Sequence, residues 1–296
     1  MVGGSALAPF LVHAEPKEKR ECMKLRYANC LANIAVWFVL GAAINQAVAA
    51  PDAKIQTLWM TYDETSSTEV SHQAWQQILD TYLDSEHISG VNRFDYAAVT
   101  KADRRLLNDY LDALQEIDPH LLSRAEQLAY WINFYNALTV QVVLEEYPVE
   151  SIRNIRFLSS PFGPWDKNLV KVKNQNLSLN DIEHEILRPI WKDPRIHFAV
   201  NCASIGCPNL IGEVFSAANS DELMEAAASD FINHRRGVEI SSEKITLSSI
   251  FDWYGDDFGS NESEIIDFIR QYRHTSYETD NITSIEYQYD WALNQP

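Results

Sequence analysis

The segment AEQLAYWINFYNALTVQVVLEEY, residues 125–147, decides the fold. It is the most apolar stretch of the chain after residue 50, and its apolar side chains fall on every face of the helix that it predicts. Ser123 and Glu126, three residues apart, form a capping-box pattern that marks the start of this helix. A helix that is apolar on all sides must be buried, so we expect it in the centre of the domain.

The flanking segments predict more helices than strands. Apolar residues at helical spacing predict helices over residues 69–83, 103–117, 179–188, 220–234 and 263–272. The third of these helices has Ser178 and Asp181 as its cap, and we expect Pro189 to end it. Hairpins are predicted over 168–179 and 238–248, and the alternating RIHFAVNC (195–202) predicts a strand. The sequence therefore indicates the α+β class, a helix-rich single domain with its central helix against a small, mostly antiparallel sheet.

The composition excludes several classes of protein. The chain has 296 residues, of which 46% are hydrophobic and 22% charged, so it is neither disordered, collagenous nor a coiled coil. Its formal net charge of -18 disfavours nucleic acids and anionic membrane surfaces as partners, because such polyanions are bound through an excess of Lys and Arg.

The first 49 residues have the pattern of a secretory signal peptide. A basic start at Met23–Arg26 precedes an uncharged run from Leu31 to Ile44, and Ala47-Val48-Ala49 fits a signal-peptidase site. Met23 is then a candidate for the true start, and we expect a mature domain of residues 50–296 that is periplasmic or secreted and has no integral membrane segment. The alternative is that the uncharged run stays uncleaved as a membrane anchor, although it is short for a spanning helix.

Cys202 and Cys207 are the cysteines that remain after residue 50. In an exported protein they predict either a disulfide that closes a tight loop or a nucleophilic thiol with a neighbour. Because Cys207 precedes Pro208, the residue type preferred at the first position of a helix, we expect Cys207 to be an N-cap. A helix N-terminus would lower the pKa of its thiol, and His197 or His184 would supply the imidazole of a Cys/His pair for acyl transfer.

Polar residues within two of the predicted helices are further candidates. Asn133 and Asn136 lie one turn apart in the central helix, where they either tie loops to the core or orient a substrate, with Asn133 as an oxyanion donor. Glu183, His184 and Arg188 cluster in a later helix and predict either a salt-bridge network or a catalytic base. Their spacing matches no metal-binding signature, so we predict no metal and assign no cofactor.

Several of these segments resemble, in order, the domain of unknown function family 547. They are AYWINFYNALTVQVVLEEYP, SIRNI, PW, LSLNDIEHEILR, DPRIHFAVNCASIGCPNL, the stretch 251–259 and the closing YDWALN, and the resemblance runs from about residue 95 to 294. It implies signature positions at Trp131, Asn133, Tyr135, Asn136, Glu183, His184, Arg188, His197, Cys207, Pro208, Asp257, Asp290 and Trp291. In this family the Cys-Pro pair is typical and the position of Cys202 varies. The family name implies no activity, and a distant relation to papain-like and transglutaminase-like thiol enzymes is an analogy of fold alone.

Two hypotheses follow for the function. The first is an exported cysteine-dependent enzyme of acyl or amide transfer, with Cys207 as nucleophile, His184 or His197 as base, and Glu183 or Asp290 orienting that base. Its substrate, a peptide or a small molecule, would contact Trp131, Tyr135, Asn136, Arg188, Asp290 and Trp291. The second is a non-catalytic periplasmic binding or interaction domain in which Cys202 and Cys207 form a structural disulfide.

Overall fold

The computed structural model describes residues 52–53, 56–157, 163–241, 243–274 and 284–296. These residues all belong to one unit, residues 50–296, that is defined by its internal contacts. The predicted signal peptide, with its basic start, uncharged run and cleavage site, lies outside the described residues.

Helices account for most of the regular structure in the described residues. They are α1 (Gln73–Tyr82), α2 (Lys101–Glu116), α3 (Arg124–Glu146), α4 (Arg188–Trp191), α5 (Ile196–Ala199), α6 (Ser220–Asn233), α7 (Ile250–Trp253), α8 (Gly255–Phe258) and α9 (Glu262–Tyr272). A π-helix over Asp181–Leu187 leads directly into α4, and short 3₁₀ turns lie at Thr57–Met60, Pro119–Leu121 and Ile152–Asn154. The strands are β1 (Leu83–Asp84), β2 (Arg93–Phe94), β3 (Val170–Val172), β4 (Gln175–Leu177), β5 (Val238–Ile240), β6 (Lys244–Ser248) and β7 (Ser284–Gln288). The predicted helix-rich α+β class is confirmed.

Helix α3 is the buried centre of the domain, as its sequence predicts. The side chain of Ser123 accepts the amide of Glu126 at 3.2 Å, which is half of the predicted capping box. The Glu126 carboxylate does not return to the cap, because it accepts the amide of Val70 at 2.7 Å. Around α3 pack α2, the π-helix and α6. The capping acid therefore also ties the segment before α1 to the central helix.

Three small sheets complete the architecture. The pairs β3–β4 and β5–β6 are antiparallel, which confirms the two predicted hairpins. The antiparallel pair β1–β2 was not predicted, and β7 pairs in parallel with β6. In that parallel pairing Leu247 lies opposite Tyr287. Residues 289–294 leave β7 from this register and reach the loop after α5, where Ser204 and Leu293 form an isolated antiparallel bridge. The parallel strand thus brings the end of the chain to the site described below.

The predicted strand over 195–202 is wrong, because residues 196–199 form the helical turn α5. Ile196 and Ala199, three residues apart, pack into the larger apolar cluster around α3, whereas Phe198 packs into a second cluster around α6 and α9. A single helical turn that contacts two clusters shows apolar residues on two faces. Over so short a run that pattern imitates the alternation of a strand.

The prediction that Pro189 ends its helix is also wrong, since α4 continues to Trp191 and Lys192 is left-handed, with φ 53°. The amide of Arg188 bonds to the carbonyl of Glu183, five residues earlier, which is the wider π pattern. This widening just before Pro189 replaces the regular i−4 bond that proline would break, so the helix passes through it. Within the described ranges, no helix combines the length and the apolar character needed to cross a membrane.

Candidate active site

Two asparagine side chains fix the course of the loop after α5, which carries both cysteines. Asn136 of α3 donates to the carbonyl of Ala199 at 2.9 Å and accepts the amide of Asn201 at 2.8 Å. Asn201 in turn donates to the carbonyl of Pro208 at 2.7 Å and accepts the amide of Ala203 at 2.8 Å. Both amides are buried and engaged at each end, so they hold this loop, the thiol loop, against the central helix.

Cys202 and Cys207 are neighbouring free thiols in the thiol loop. The amide of Cys202 donates to Sγ of Cys207 at 3.0 Å. Sγ of Cys202 lies 3.1 Å from Oγ of Ser204 and 3.0 Å from Oη of Tyr289, and those two oxygens are 2.9 Å apart. Cys202 is partly exposed, whereas Cys207 is buried. Cys202 is therefore the more exposed of these two cysteine residues.

The surroundings shift the pKa values of the two thiols in opposite directions. Burial raises the pKa of Cys202, but hydrogen bonds from Cys207, Ser204 and Tyr289 outweigh it and leave this pKa below its ordinary value. Burial, followed by the neighbouring Cys202, raises the pKa of Cys207 well above its ordinary value. Burial also raises the pKa of Tyr289, so its hydroxyl keeps its proton and donates to a thiolate.

The expectation that Cys207 caps a helix is wrong. The chain after Cys207 is irregular, and the next helix, α6, begins at Ser220. Pro208 fits such a segment as well as a helix start, because its fixed φ also suits extended and turn conformations. Cys207 therefore has no helix N-terminus beside it, and its pKa is raised rather than lowered.

Helix α5 places His197 in a buried network of charges. Nε2 of His197 lies 2.6 Å from Oδ2 of Asp257, and Nε of Arg188 donates to the same oxygen at 2.6 Å. The ring of Tyr254 stacks on His197 with the centroids 4.2 Å apart. Burial raises the pKa of Asp257, but the bonds from His197 and Arg188 override it and hold this pKa well below its usual range.

Glu183 lies on the other side of the same imidazole, with its Oε1 3.8 Å from Nδ1 of His197. Tyr135 of α3 donates to Oε2 of Glu183 at 2.9 Å. Burial, followed by the charge of Glu183, raises the pKa of Tyr135 well above its ordinary value, so Tyr135 stays a donor. His197 thus lies between two carboxylates, and its Nδ1 makes no hydrogen bond within the described residues.

His184 points its Nδ1 at Arg188, with Nη1 of the guanidinium 3.0 Å away. A guanidinium only donates hydrogen bonds, so Nδ1 must accept, and a neutral His184 then carries its proton on Nε2. Burial lowers the pKa of His184, and the like charge of Arg188 adds to that, which favours the neutral ring. In this tautomer His184 offers an N–H donor rather than a base.

No hydrogen bond joins either cysteine to a histidine in the part of the chain that the structure describes. Tyr254 stacks on His197, and its pKa responds to both the cysteines and the charge network. Burial raises the pKa of Tyr254, and the charges of Glu183 and of the two cysteines add to it. Among the described residues, no three His, Cys, Asp or Glu side chains form a group that could hold a metal ion.

Two of the predicted residues in α3 are occupied inside the core. Asn133 donates to the carbonyl of Phe215 at 2.7 Å and accepts the amide of the same residue at 3.1 Å. Trp131 is fully buried and packs edge-on against Trp59, with the centroids 5.3 Å apart. These contacts match the structural alternative for Asn133 and supply no support for a role in substrate binding.

The remaining predicted residues, Asp290 and Trp291, lie in the segment that follows β7. The carbonyl of Asp290 accepts the amide of Gly206 at 2.8 Å, while Trp291 stacks on Trp253 with the centroids 5.5 Å apart. A Cβ at Gly206 would lie 2.7 Å from the backbone nitrogen of Asp290, so this approach requires glycine. The backbone of Asp290 holds the segment on the thiol loop, and Trp291 packs it against α7; the same segment places Tyr289 at the sulfur of Cys202.

Sequence reasoning missed Ser204, Tyr289 and Tyr254 as candidates. Ser204 follows Cys202 by two residues, and Tyr289 opens the quoted YDWALN segment, so both lay inside motifs that drew attention for other residues. No local pattern shows that Tyr289 contacts a residue 87 positions earlier, because that contact depends on the β6–β7 pairing.

Comparison with known proteins supports the resemblance noted from the motifs. The family described as "protein of unknown function, DUF547" matches residues 119–232, which include α3, the π-helix, α5, the thiol loop and most of α6. The match is shorter than the region from about 95 to 294 over which the motifs resemble the family. No curated protein and no solved structure matches the sequence.

Proposed function

We propose that this protein is a cysteine-dependent enzyme of acyl or amide transfer, a hydrolase or transferase, with Cys202 as its nucleophile. The observation that carries the proposal is the placement of Ser204 Oγ and Tyr289 Oη at 3.1 and 3.0 Å from Sγ of Cys202. Hydrogen bonds from Cys207, Ser204 and Tyr289 outweigh burial and give this partly exposed thiol the lowered pKa that nucleophilic cysteines need. Cys207, buried and with a raised pKa, takes a supporting role.

The proposed chemistry needs no separate base for the first step. The thiolate of Cys202 attacks a carbonyl carbon, the C=O electron pair moves to oxygen, and collapse of this intermediate expels an amine or an alcohol. The leaving group takes a proton, for which the hydroxyls of Tyr289 and Ser204 are donors within hydrogen-bond distance of the sulfur. Water or a second amine then attacks the thioester carbon and returns a proton to the donating hydroxyl, and the C–S bond breaks to restore the thiolate of Cys202. This scheme replaces the Cys/His pair expected from the sequence.

In the same proposal, the histidines position rather than react. Asp257 and Glu183 flank His197, and Tyr254 stacks on that ring while its hydroxyl feels the charges of the two cysteines. The network therefore supports the wall of the site behind the thiol. Its loss would alter the pKa of Cys202 without removing the nucleophile.

The second candidate is a non-catalytic binding or interaction domain, and the satisfied asparagines favour it. The side-chain amides of Asn133 and Asn136 form hydrogen bonds with backbone groups, so neither is available to stabilise an oxyanion. On this account, Cys202 and Cys207 would form a structural disulfide in an oxidising compartment.

Acylation followed by intact-mass spectrometry separates these candidates. We expect p-nitrophenyl esters and alkyl thioesters to form a thioester on Cys202 and to turn over more than one equivalent per chain. Cys202→Ser should abolish both, whereas Cys207→Ser should keep the adduct. If the wild-type protein forms no adduct, or if Cys202→Ser turns over as fast as wild type, the enzyme proposal fails.

We also propose that the protein is exported to the periplasm or secreted after loss of residues 1–49. The support is the pattern of the sequence alone: the basic start at Met23–Arg26, the uncharged run Leu31–Ile44 and the small residues Ala47-Val48-Ala49. An oxidising compartment would make the redox state of the two thiols part of their chemistry.

A further inference from the structure

Two arginines, Arg93 and Arg236, lie close together beside the thiol loop. Nη2 of Arg236 donates to Oδ1 of Asn209 at 2.7 Å, and the same oxygen accepts the backbone amide of Asn92, the residue before Arg93, at 2.9 Å. Burial lowers the pKa of Arg236 to about 10, and the like charge of Arg93 adds to that shift. The two positive charges are therefore near enough to repel each other.

Neither of these arginines forms an ion pair with a carboxylate of the described residues. Both are partly buried, and a guanidinium that is withdrawn from water is normally paired. Acidic partners are abundant in this chain, which has 42 Asp and Glu against 24 Lys and Arg. Arg195, for comparison, pairs with the three carboxylates of Asp193, Asp221 and Glu225. Two neighbouring unpaired guanidinium groups in so acidic a chain favour a negative charge supplied by a ligand.

Both guanidinium groups also have hydrogen-bond donors without a partner. Each guanidinium has five N–H groups. The described residues accept two of those of Arg236 and one of those of Arg93, which lies 3.5 Å from the carbonyl of Gln295. Nε of each arginine is buried and has no hydrogen-bond partner in the part of the chain that the structure describes. Unpartnered donors on a charged group are costly, so an anion that accepts from these groups would be bound favourably.

Arg236 is held in place by contacts on three sides. Nη1 donates to the carbonyl of Ile205 in the thiol loop at 3.2 Å, while Nη2 is fixed by Asn209. Cζ lies over the ring of Phe231, 5.5 Å from its centroid. A ligand that binds to this guanidinium therefore loses little free energy to the ordering of the side chain.

We propose that Arg93 and Arg236 together bind the oxyanion group of a small molecule, a carboxylate or a phosphate. Planar guanidinium groups bind both kinds of anion through paired, charge-assisted hydrogen bonds. A neutral sugar would satisfy the donors but not the two charges, and a cation would be repelled. The inference does not depend on the thiol chemistry of Cys202, because it concerns binding only.

Titration calorimetry with inorganic phosphate and with acetate, in chloride buffer of constant ionic strength, tests the proposal. We expect at least one of the two anions to bind, and the one that binds more tightly identifies the class of oxyanion. Arg236→Gln should weaken that binding by about fivefold, the effect of one unit charge at ~4 Å in water. Arg105→Gln, the same charge change at an exposed position of α2, should leave the affinity unchanged.

Arg93→Gln is a second variant that keeps the test valid if Arg236→Gln fails to fold, and it should weaken the binding to a similar extent. Thermal unfolding of the wild-type protein adds a measurement without any substitution. The anion that binds more tightly should raise Tm, whereas chloride at the same ionic strength should not. No binding of phosphate or acetate up to about 10 mM would overturn the proposal, as would effects of Arg236→Gln and Arg93→Gln no larger than that of Arg105→Gln.

Discussion

Removing the amide of Asn133 should destabilise the domain strongly, because this side chain closes two hydrogen bonds with the backbone of Phe215. The donor lies 2.7 Å from the carbonyl and the acceptor 3.1 Å from the amide, and both residues are buried. Asn133→Ala leaves two buried backbone groups without partners, at roughly 1–3 kcal/mol each. The expected loss in free energy of unfolding is therefore about 2–6 kcal/mol.

Urea or thermal unfolding followed by circular dichroism measures this loss. For a domain of this size, a loss of about 3 kcal/mol lowers Tm by roughly 6–12 °C. Asn108→Ala is the matched control, since Asn108 is an exposed asparagine of α2 whose side chain accepts a hydrogen bond from Gln141, and it should change stability by less than about 0.5 kcal/mol. A loss below about 1 kcal/mol for Asn133→Ala would refute the structural role assigned to this residue.

Three further outcomes are expected. Burial lowers the pKa of His72 from 6.5 to about 4, so as the pH falls this histidine is protonated in the unfolded chain before it is protonated in the folded one. About 3 kcal/mol of the free energy of unfolding should therefore be lost between pH 6.5 and 4. Urea titrations at several pH values should show a smaller loss in His72→Gln. Tyr289→Phe should raise the pKa of Cys202, because it removes one of the hydrogen bonds that lower this pKa, and the pH profile of alkylation should move upward, whereas Tyr287→Phe on the same chain segment should not move it. N-terminal sequencing of exported protein should read from Ala50, and a sequence that starts at Met1 or Met23 would contradict the signal peptide.

The long periodic segments of this chain could be predicted from the sequence, because burial on one or all faces leaves a pattern over many residues. Helix α3 and the amphipathic helices α1, α2, α6 and α9 are of this kind. Helix α5 could not be predicted, because its four residues contact two apolar clusters and are too few to show a helical spacing of apolar side chains. The helix continues past Pro189 because a π-helix precedes it, and no pattern in the sequence predicts that π-helix.

The sequence predicted some residues of the candidate site but missed Ser204 and Tyr289 and did not predict the roles. The sequence pointed to the thiol loop and to Glu183, His184 and His197, all of which lie in connected networks. The exchange of roles between Cys202 and Cys207 was not predictable, because it depends on the absence of a helix after Cys207 and on a tyrosine contributed by the far end of the chain.

Alkylation of unreduced protein by iodoacetamide, with peptide mass spectrometry across a range of pH, tests the central claim most directly. We expect Cys202 to be modified at pH values below the ordinary thiol pKa of about 8.5, while buried Cys207 stays unmodified until the protein unfolds. Modification of Cys207 before Cys202, or no modification of either cysteine until a reductant is added, would contradict the account.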